Sequence, residues 1–82
     1  MTILKYAREL RWAEREACKA VTAAADAVGT EHYAIAYDYF YEAERIADRA
    51  TRRYVRETIA AGGDPVRATH SCWRIKRIAR NT

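Results

Sequence analysis

The residues that favour tight turns stand at only two places in this chain, and this limits its fold more than any other feature. The sequence contains three glycines and one proline in 82 residues. They are Gly29, the pair Gly62 and Gly63, and Pro65. A sandwich or barrel of short strands needs many more turns than two. We therefore expect one domain over residues 1–82, built from two long segments and one shorter segment.

The apolar composition favours helices that pack closely. Alanine accounts for 17 residues, whereas Ile, Leu and Val together account for 12. Such a chain has a thin interior with few bulky side chains. No apolar run approaches the roughly 18 residues that a membrane-spanning helix needs. The sequence therefore predicts an all-α protein.

The first segment has the apolar spacing of a helix over residues 3–28. Its apolar residues recur at intervals of three and four, with Glu14 as the exception. These residues are Ile3, Ala7, Leu10, Ala17, Val21, Ala24 and Val28. Gly29 is placed to end this helix, and Thr30 to cap the next one. This pattern predicts a tight antiparallel hairpin, with one kinked continuous helix as the alternative.

Two further helices are predicted, over residues 31–61 and 65–80. The apolar face of the second consists of Ala36, Phe40, Ala43, Ala47, Ala50, Tyr54 and Ala61. Asp64 is the expected N-cap of the third, and Pro65 its first residue. The third helix has an apolar stripe at Ala68, Cys72, Ile75 and Ala79. The predicted fold is a long antiparallel hairpin plus a shorter third helix, completed as a helical-bundle homodimer, since two-fold pairing commonly buries a leftover apolar face.

Glu14 interrupts the apolar face of the first helix and needs a partner. In a hairpin folded about Gly29 it would lie near Arg45 and Arg49. An unpaired carboxylate in an apolar interface is costly. We therefore predict an ion pair between Glu14 and one of these two arginines.

Three tyrosines form a second apolar face on the middle helix. Tyr33, Tyr37 and Tyr41 are four residues apart, so they make a ridge about 100° around the helix from the hairpin face. A third helix of 16 residues covers only about 24 Å of this longer helix. The ridge is therefore predicted to bind a partner or a second copy. Packing against the third helix of the same chain is the alternative.

Two tryptophans stand away from the apolar stripes of their helices. Trp12 lies among charged residues of the first helix, and Trp73 lies near arginines of the third. A neighbouring helix or a stacked arginine could cover each of them. The other interpretation makes both of them anchors for a partner, since tryptophan is enriched at interaction hot spots.

The two halves of the chain differ in charge. Residues 1–48 carry nine acidic and six basic groups, a net −3, whereas residues 49–82 carry two acidic and nine basic groups, a net +7. The cations that follow Asp64 are Arg67, Arg74, Lys76, Arg77 and Arg80. They favour an anionic partner: an acidic protein surface, nucleic acid or an anionic membrane surface. Stabilisation of a helix C-terminus by cations is the other interpretation.

The sequence predicts no catalytic residue, cofactor or metal site. His70, Ser71 and Cys72 are neighbours on a helix and point in directions about 100° apart, so they do not converge as nucleophile and base. The spacing of the histidines and cysteines does not match a metal site. Two cysteines and no secretory signal favour the cytoplasm. Cys72 is expected in the core and Cys18 at its edge.

These features predict a non-enzymatic protein-binding module, an adaptor or small inhibitor that occludes an acidic partner surface. Its partner-binding residues would be Trp12, Tyr33, Tyr37, Tyr41 and Trp73, and the five cations after Asp64 would contact anionic groups. The alternative is a small basic nucleic-acid-binding protein that uses residues 49–80. In size and style the chain resembles the small accessory proteins encoded by phages.

Overall fold

The computed structural model describes residues 2–81 of the protein, apart from the side chain of Thr2, and contains three α-helices. These are α1 (Thr2–Asp26), α2 (Tyr33–Ala60) and α3 (Pro65–Arg80). The described residues contain no strand, so the all-α prediction is confirmed. Met1 and Thr82, the two ends of the predicted domain, lie outside the described residues. The molecule measures 49 × 20 × 20 Å.

The hairpin connection is longer than predicted. Gly29 has a φ of +82°, the left-handed conformation expected of it. The Thr30 hydroxyl donates to the Ala27 carbonyl at 2.7 Å and accepts from the His32 amide at 3.2 Å. This hydroxyl stabilises the turn, and α2 begins three residues later with His32 in the cap position. The prediction that Thr30 caps α2 is therefore wrong.

The second connection follows the sequence prediction. Asp64 is extended and its carboxylate accepts the amide proton of Arg67 at 3.0 Å, while Pro65 is the first residue of α3. Gly62 has a φ of +98°. A Cβ on Gly63 would lie 2.8 Å from the carbonyl oxygen of Thr58. This close approach leaves no room for a side chain at position 63.

Two clusters hold the helices together. The first joins α1 and α2, and Phe40 and Ala50 pack against its buried residues, which are all alanines: Ala13, Ala17, Ala20, Ala43 and Ala47. The second joins all three helices through Leu10, Tyr54 and Cys72. Because the side chains of the first cluster are small, α1 and α2 lie close together. The second cluster shows that α3 packs against the helices of its own chain.

The residues predicted to form one apolar face of α1 lie on two different faces of the helix. Ala13 and Ala20 are buried against α2, whereas Val21 and Val28 are exposed. Ala7, by contrast, packs in the cluster that contains Cys72 of α3. Since α1 is covered from two sides, a single three-and-four spacing could not describe both contacts. On α2 the predicted Ala43, Ala47 and Tyr54 are buried but Ala61 is exposed, and the predicted stripe of α3 is confirmed.

Glu14 is buried, but its partners differ from the predicted ones. The residue is 6% exposed. Its Oε1 accepts from Arg80 Nε at 2.9 Å, and its Oε2 lies 3.9 Å from Lys76 Nζ. The predicted pair with Arg45 or Arg49 is wrong, because Glu14 faces α3 and those arginines belong to α2.

We expect removal of the two cations that contact Glu14 to destabilise the protein more than replacement of Glu14 itself. Lys76→Ala with Arg80→Ala should lower the free energy of unfolding by about 2–3 kcal/mol, less than for a fully buried pair because Arg80 is largely exposed. Glu14→Leu should change it by less than about 1 kcal/mol, since an apolar side chain replaces the buried charge. Urea titrations of the two variants check this. A larger loss in Glu14→Leu than in the double variant would contradict it.

Candidate binding surfaces

The third helix leaves one end of the hairpin uncovered. Arg80, the last residue of α3, reaches Glu14, which lies near the middle of α1. Ala79 and Arg80 also line a cavity with Lys19 and Thr22 of α1, and beyond that cavity the hairpin consists of α1 and α2 alone. We name residues 20–44, most of which lie beyond the end of α3, the distal arm.

The predicted tyrosine ridge lies on the distal arm and remains open. Tyr33, Tyr37 and Tyr41 are between 40% and 55% exposed. The Tyr33 and Tyr37 rings lie 5.9 Å apart, and Tyr37 meets Phe40 edge to face at 6.1 Å. The alternative prediction, that α3 covers the tyrosines, is wrong.

The distal arm carries more exposed apolar side chains than the sequence reasoning identified. Val21, Val28, Ile35 and Tyr39 are all exposed, although the Tyr39 hydroxyl lies 3.4 Å from Glu16 Oε1. The spacing of apolar residues predicts Val21 and Val28 on the buried face of α1, and this prediction is wrong for both. The exposed apolar surface of the arm therefore extends beyond the three tyrosines.

The distal arm is also acidic throughout. Residues 20–44 contain five carboxylates and no Lys or Arg, a net −5: Asp26, Glu31, Asp38, Glu42 and Glu44. Residues 1–19 carry five basic and three acidic groups, a net +2. Dividing the sequence into halves averaged these two regions. A search for long stretches without cations would have found the acidic arm.

A groove between α1 and α2 contains the first tryptophan. Trp12 is 60% exposed, so the prediction that a neighbouring helix covers it is wrong. The groove has a volume of about 430 Å³ and an apolar floor formed by Ala13, Ile46 and Ala50. Glu14 faces α3, and Trp12 is two residues, about 200°, away around the helix. The groove therefore lies on the side of the hairpin away from α3.

Three arginines and one carboxylate line the same groove, which gives its rim a net positive charge: Arg8, Arg49, Arg53 and Glu9. Arg53 Nη1 lies 3.5 Å from Glu9 Oε2, and its guanidinium lies 5.5 Å from the centre of the Tyr6 ring. Within residues 2–81, no side-chain ion pair engages Arg8 or Arg49. The groove thus combines an apolar floor and a large aromatic ring with a cationic rim. We name it the Trp12 groove.

The outer face of α3 contains the second tryptophan. Trp73 is 74% exposed, and Val66 beside it is equally open. The alternative that a neighbouring helix covers Trp73 is wrong as well. The predicted cations of α3 divide into two groups. Lys76 and Arg80 contact Glu14, whereas the exposed Arg67, Arg74 and Arg77 form no side-chain ion pair in the part of the chain that the structure describes.

The residues that resemble a catalytic triplet do not come together. His70 and Ser71 are exposed, whereas Cys72 is buried among Leu10 and Tyr54. Burial raises the pKa of the Cys72 thiol; Lys76 lowers it and Glu14 raises it to smaller extents. A buried neutral thiol is a weak nucleophile. Across residues 2–81, no group of three or more His, Cys, Asp or Glu side chains is arranged to hold a metal ion.

Among the described helices, none has both the length and the apolar content to cross a membrane. The fold and its surfaces define a three-helix protein with open aromatic faces. Comparisons with protein-family models, with curated proteins and with solved structures find no significant match to this chain.

Proposed function

We propose that this protein is a non-enzymatic binding module that takes an acidic amphipathic helix of a partner protein into the Trp12 groove. The observation that carries the proposal is the exposed Trp12 ring beside three arginines over an apolar floor. Tryptophan and arginine are the residues that most often dominate binding energy at interfaces. Bound in this way, the module would act as an adaptor or as a small inhibitor that occludes its partner.

The floor of the groove favours a protein over a nucleic acid. An amphipathic helix lays its apolar side chains into such a groove and places its flanking charges at the rim. A phosphate backbone would meet the arginines but would leave Ile46 and the alanines without apolar partners. The cationic rim selects acidic flanks, and this attraction weakens with salt.

Fluorescence of Trp12 tests the proposal. Trp73→Phe leaves Trp12 as the only tryptophan. We expect a saturable blue shift when an amphipathic helical peptide with leucines on one face and glutamates beside them is added, because the ring leaves water. The matched peptide with glutamine in place of glutamate should bind at least tenfold more weakly at low salt. Equal binding of the two peptides, or no shift with either, would contradict the proposal.

A variant of the groove provides the matched control. Arg49→Glu with Arg53→Glu should abolish binding of the acidic peptide, because both substitutions place negative charge at the rim. Arg74→Glu with Arg77→Glu changes the net charge equally but lies on α3, and at physiological ionic strength, where the screening length is about 8 Å, it should leave peptide binding within about twofold.

A nucleic-acid-binding protein is the second candidate, and the three exposed arginines of α3 favour it. If they contact phosphates, binding to a generic DNA duplex should weaken with salt at a log–log slope of about −3. Duplex binding with this slope, together with no peptide binding, would replace the protein-binding proposal. Absence of duplex binding at low salt would remove the second candidate.

A homodimer and a cytoplasmic location complete the proposal. The half-exposed tyrosines of the distal arm support self-association, since contiguous apolar surface of this kind marks interaction sites. Cys18 and Cys72 are free thiols, and this supports a reducing compartment.

A further inference from the structure

The distal arm and the outer face of α3 lie on the same side of the hairpin. Val21 is seven residues, about two turns, beyond Glu14, and Glu14 contacts α3. Tyr37 is 18 residues, about five turns, before Val55, which packs in the cluster containing Cys72. Val21 and Tyr37 therefore continue, on the distal arm, the two surfaces that α3 covers lower down.

This side of the molecule has the shape of a step. Over one half of its length α3 rises above the hairpin, and over the other half the hairpin is open. The raised half presents Val66 and Trp73, and the open half presents Val21, Val28 and the tyrosine ridge. A second molecule of the same shape, rotated by 180° so that its two ends are exchanged, would fit against this side.

The two halves of the step have opposite charge. The distal arm carries a net −5. Helix α3 carries five basic residues and no acidic one, a net +5, and three of those cations are free of internal ion pairs among the described residues. Opposite charge on matching apolar faces favours their association and fixes their direction.

We propose that the distal arm of each molecule is covered by α3 of a second copy of this chain, in an antiparallel two-fold dimer. This rests on the self-association proposed above and names its interface. A two-fold axis close to Arg80 places the acidic arm of each copy on the basic helix of the other, so both contacts form together and the assembly closes. The Trp12 groove, on the opposite side of the hairpin, stays free for a partner.

The helix register places specific residues together. Trp73 lies seven residues, about 10 Å, before Arg80 along α3, and Tyr37 lies seven residues, about 10 Å, before Glu44 along α2. In the proposed dimer, a two-fold axis at a level shared by Arg80 and Glu44 brings the Trp73 ring of one copy to the level of Tyr37 of the other. Two large aromatic groups meeting at the centre of each contact would act as its anchors.

A pair of charge reversals tests the interface. The first variant, Arg74→Glu with Arg77→Glu, lowers the net charge of α3 from +5 to +1; the second, Asp38→Lys with Glu44→Lys, changes the net charge of the arm from −5 to −1. Sedimentation at low salt and about 100 μM protein, suited to an interface of small size, measures the mass. We expect a dimer for the wild type, a monomer for each variant, and a dimer again when the two variants are mixed. In the mixed dimer the unaltered arm, at −5, meets the unaltered α3, at +5, at one contact, and the introduced lysines meet the introduced glutamates at the other.

Three results would overturn the inference. A wild type that stays monomeric at low salt excludes the dimer. Variants that remain dimeric exclude this interface, although self-association itself survives. Variants that are monomeric and stay so when mixed exclude the antiparallel pairing of arm and α3.

Two controls keep these results clear. Arg49→Glu with Arg53→Glu reverses two charges on the opposite side and should leave the dimer intact while abolishing binding of the acidic peptide, so the dimer and the proposed function can fail separately. Circular dichroism reports whether each variant folds. If a charge variant loses its helices, Trp73→Ala and Tyr37→Ala replace the pair, and each should then be monomeric.

Discussion

Replacing Leu10 with alanine should lower the free energy of unfolding by about 3–5 kcal/mol. Leu10 is fully buried, at 0% exposure, and contacts Tyr54 and Cys72 where all three helices meet. Few bulky aliphatic side chains are available to close the cavity. An 82-residue domain has a total stability of roughly 4–12 kcal/mol, so this variant should be close to unfolding. Urea titration followed by circular dichroism measures the change.

Leu4→Ala is the matched control for this prediction. Leu4 belongs to the same helix and is more than half exposed, so the same substitution should cost less than about 1 kcal/mol. Equal losses in the two variants would mean that the three-helix cluster is not where the structure places it.

Ala47→Leu should lower the free energy of unfolding by about 1–3 kcal/mol through overpacking. Ala47 is buried against Ala13 and Ala17 in the hairpin interface. A larger side chain there pushes α1 and α2 apart, although leucine is as good a helix former as this site needs. Thermal unfolding and urea titration both report the loss.

The exposed Ala34 of the same helix provides the comparison. Ala34→Leu should leave the free energy of unfolding within about 0.5 kcal/mol of the wild type. If Ala47→Leu proved equally harmless, the helices would not be as closely packed as the alanine interface implies.

The three helices could be predicted from the sequence because it contains so few turn residues. Gly29, and Gly62 to Pro65, could only separate three helical segments, and Asp64 with Pro65 specified the start of α3. The register of α1 was less predictable. Alanine is small enough to fit either a core or a surface, so the spacing alone could not separate the face toward α2 from the face toward α3.

The sequence does not show on which side of the hairpin α3 packs, and for this reason the predicted partners of Glu14 are wrong. Its three-dimensional partners are 62 and 66 residues away, in Lys76 and Arg80. The same uncertainty made it impossible to tell which aromatic residues α3 would cover. Its packing beside Glu14 leaves Trp12 on the open side of the hairpin.

Only the α1 part of the Trp12 groove could be predicted from the sequence. The sequence predicts Trp12 as a binding residue but does not predict Ile46 and Arg49 of α2 as its neighbours. A signal was present, since antiparallel pairing about the turn brings the level of Trp12 close to that of Arg49. Aligning the exposed residues of the two antiparallel helices by their height along the hairpin, in addition to the buried ones, predicts the groove.

The central claim is that the distal arm has more apolar surface than its own chain covers and therefore contacts a second molecule. Sedimentation equilibrium of the wild type and of Tyr37→Ala with Tyr41→Ala tests it most directly. The account predicts a mass that rises toward the dimer with concentration for the wild type, and a monomer at every concentration for the variant. Two proteins that remain monomeric alike, with no difference in partner binding, would contradict it.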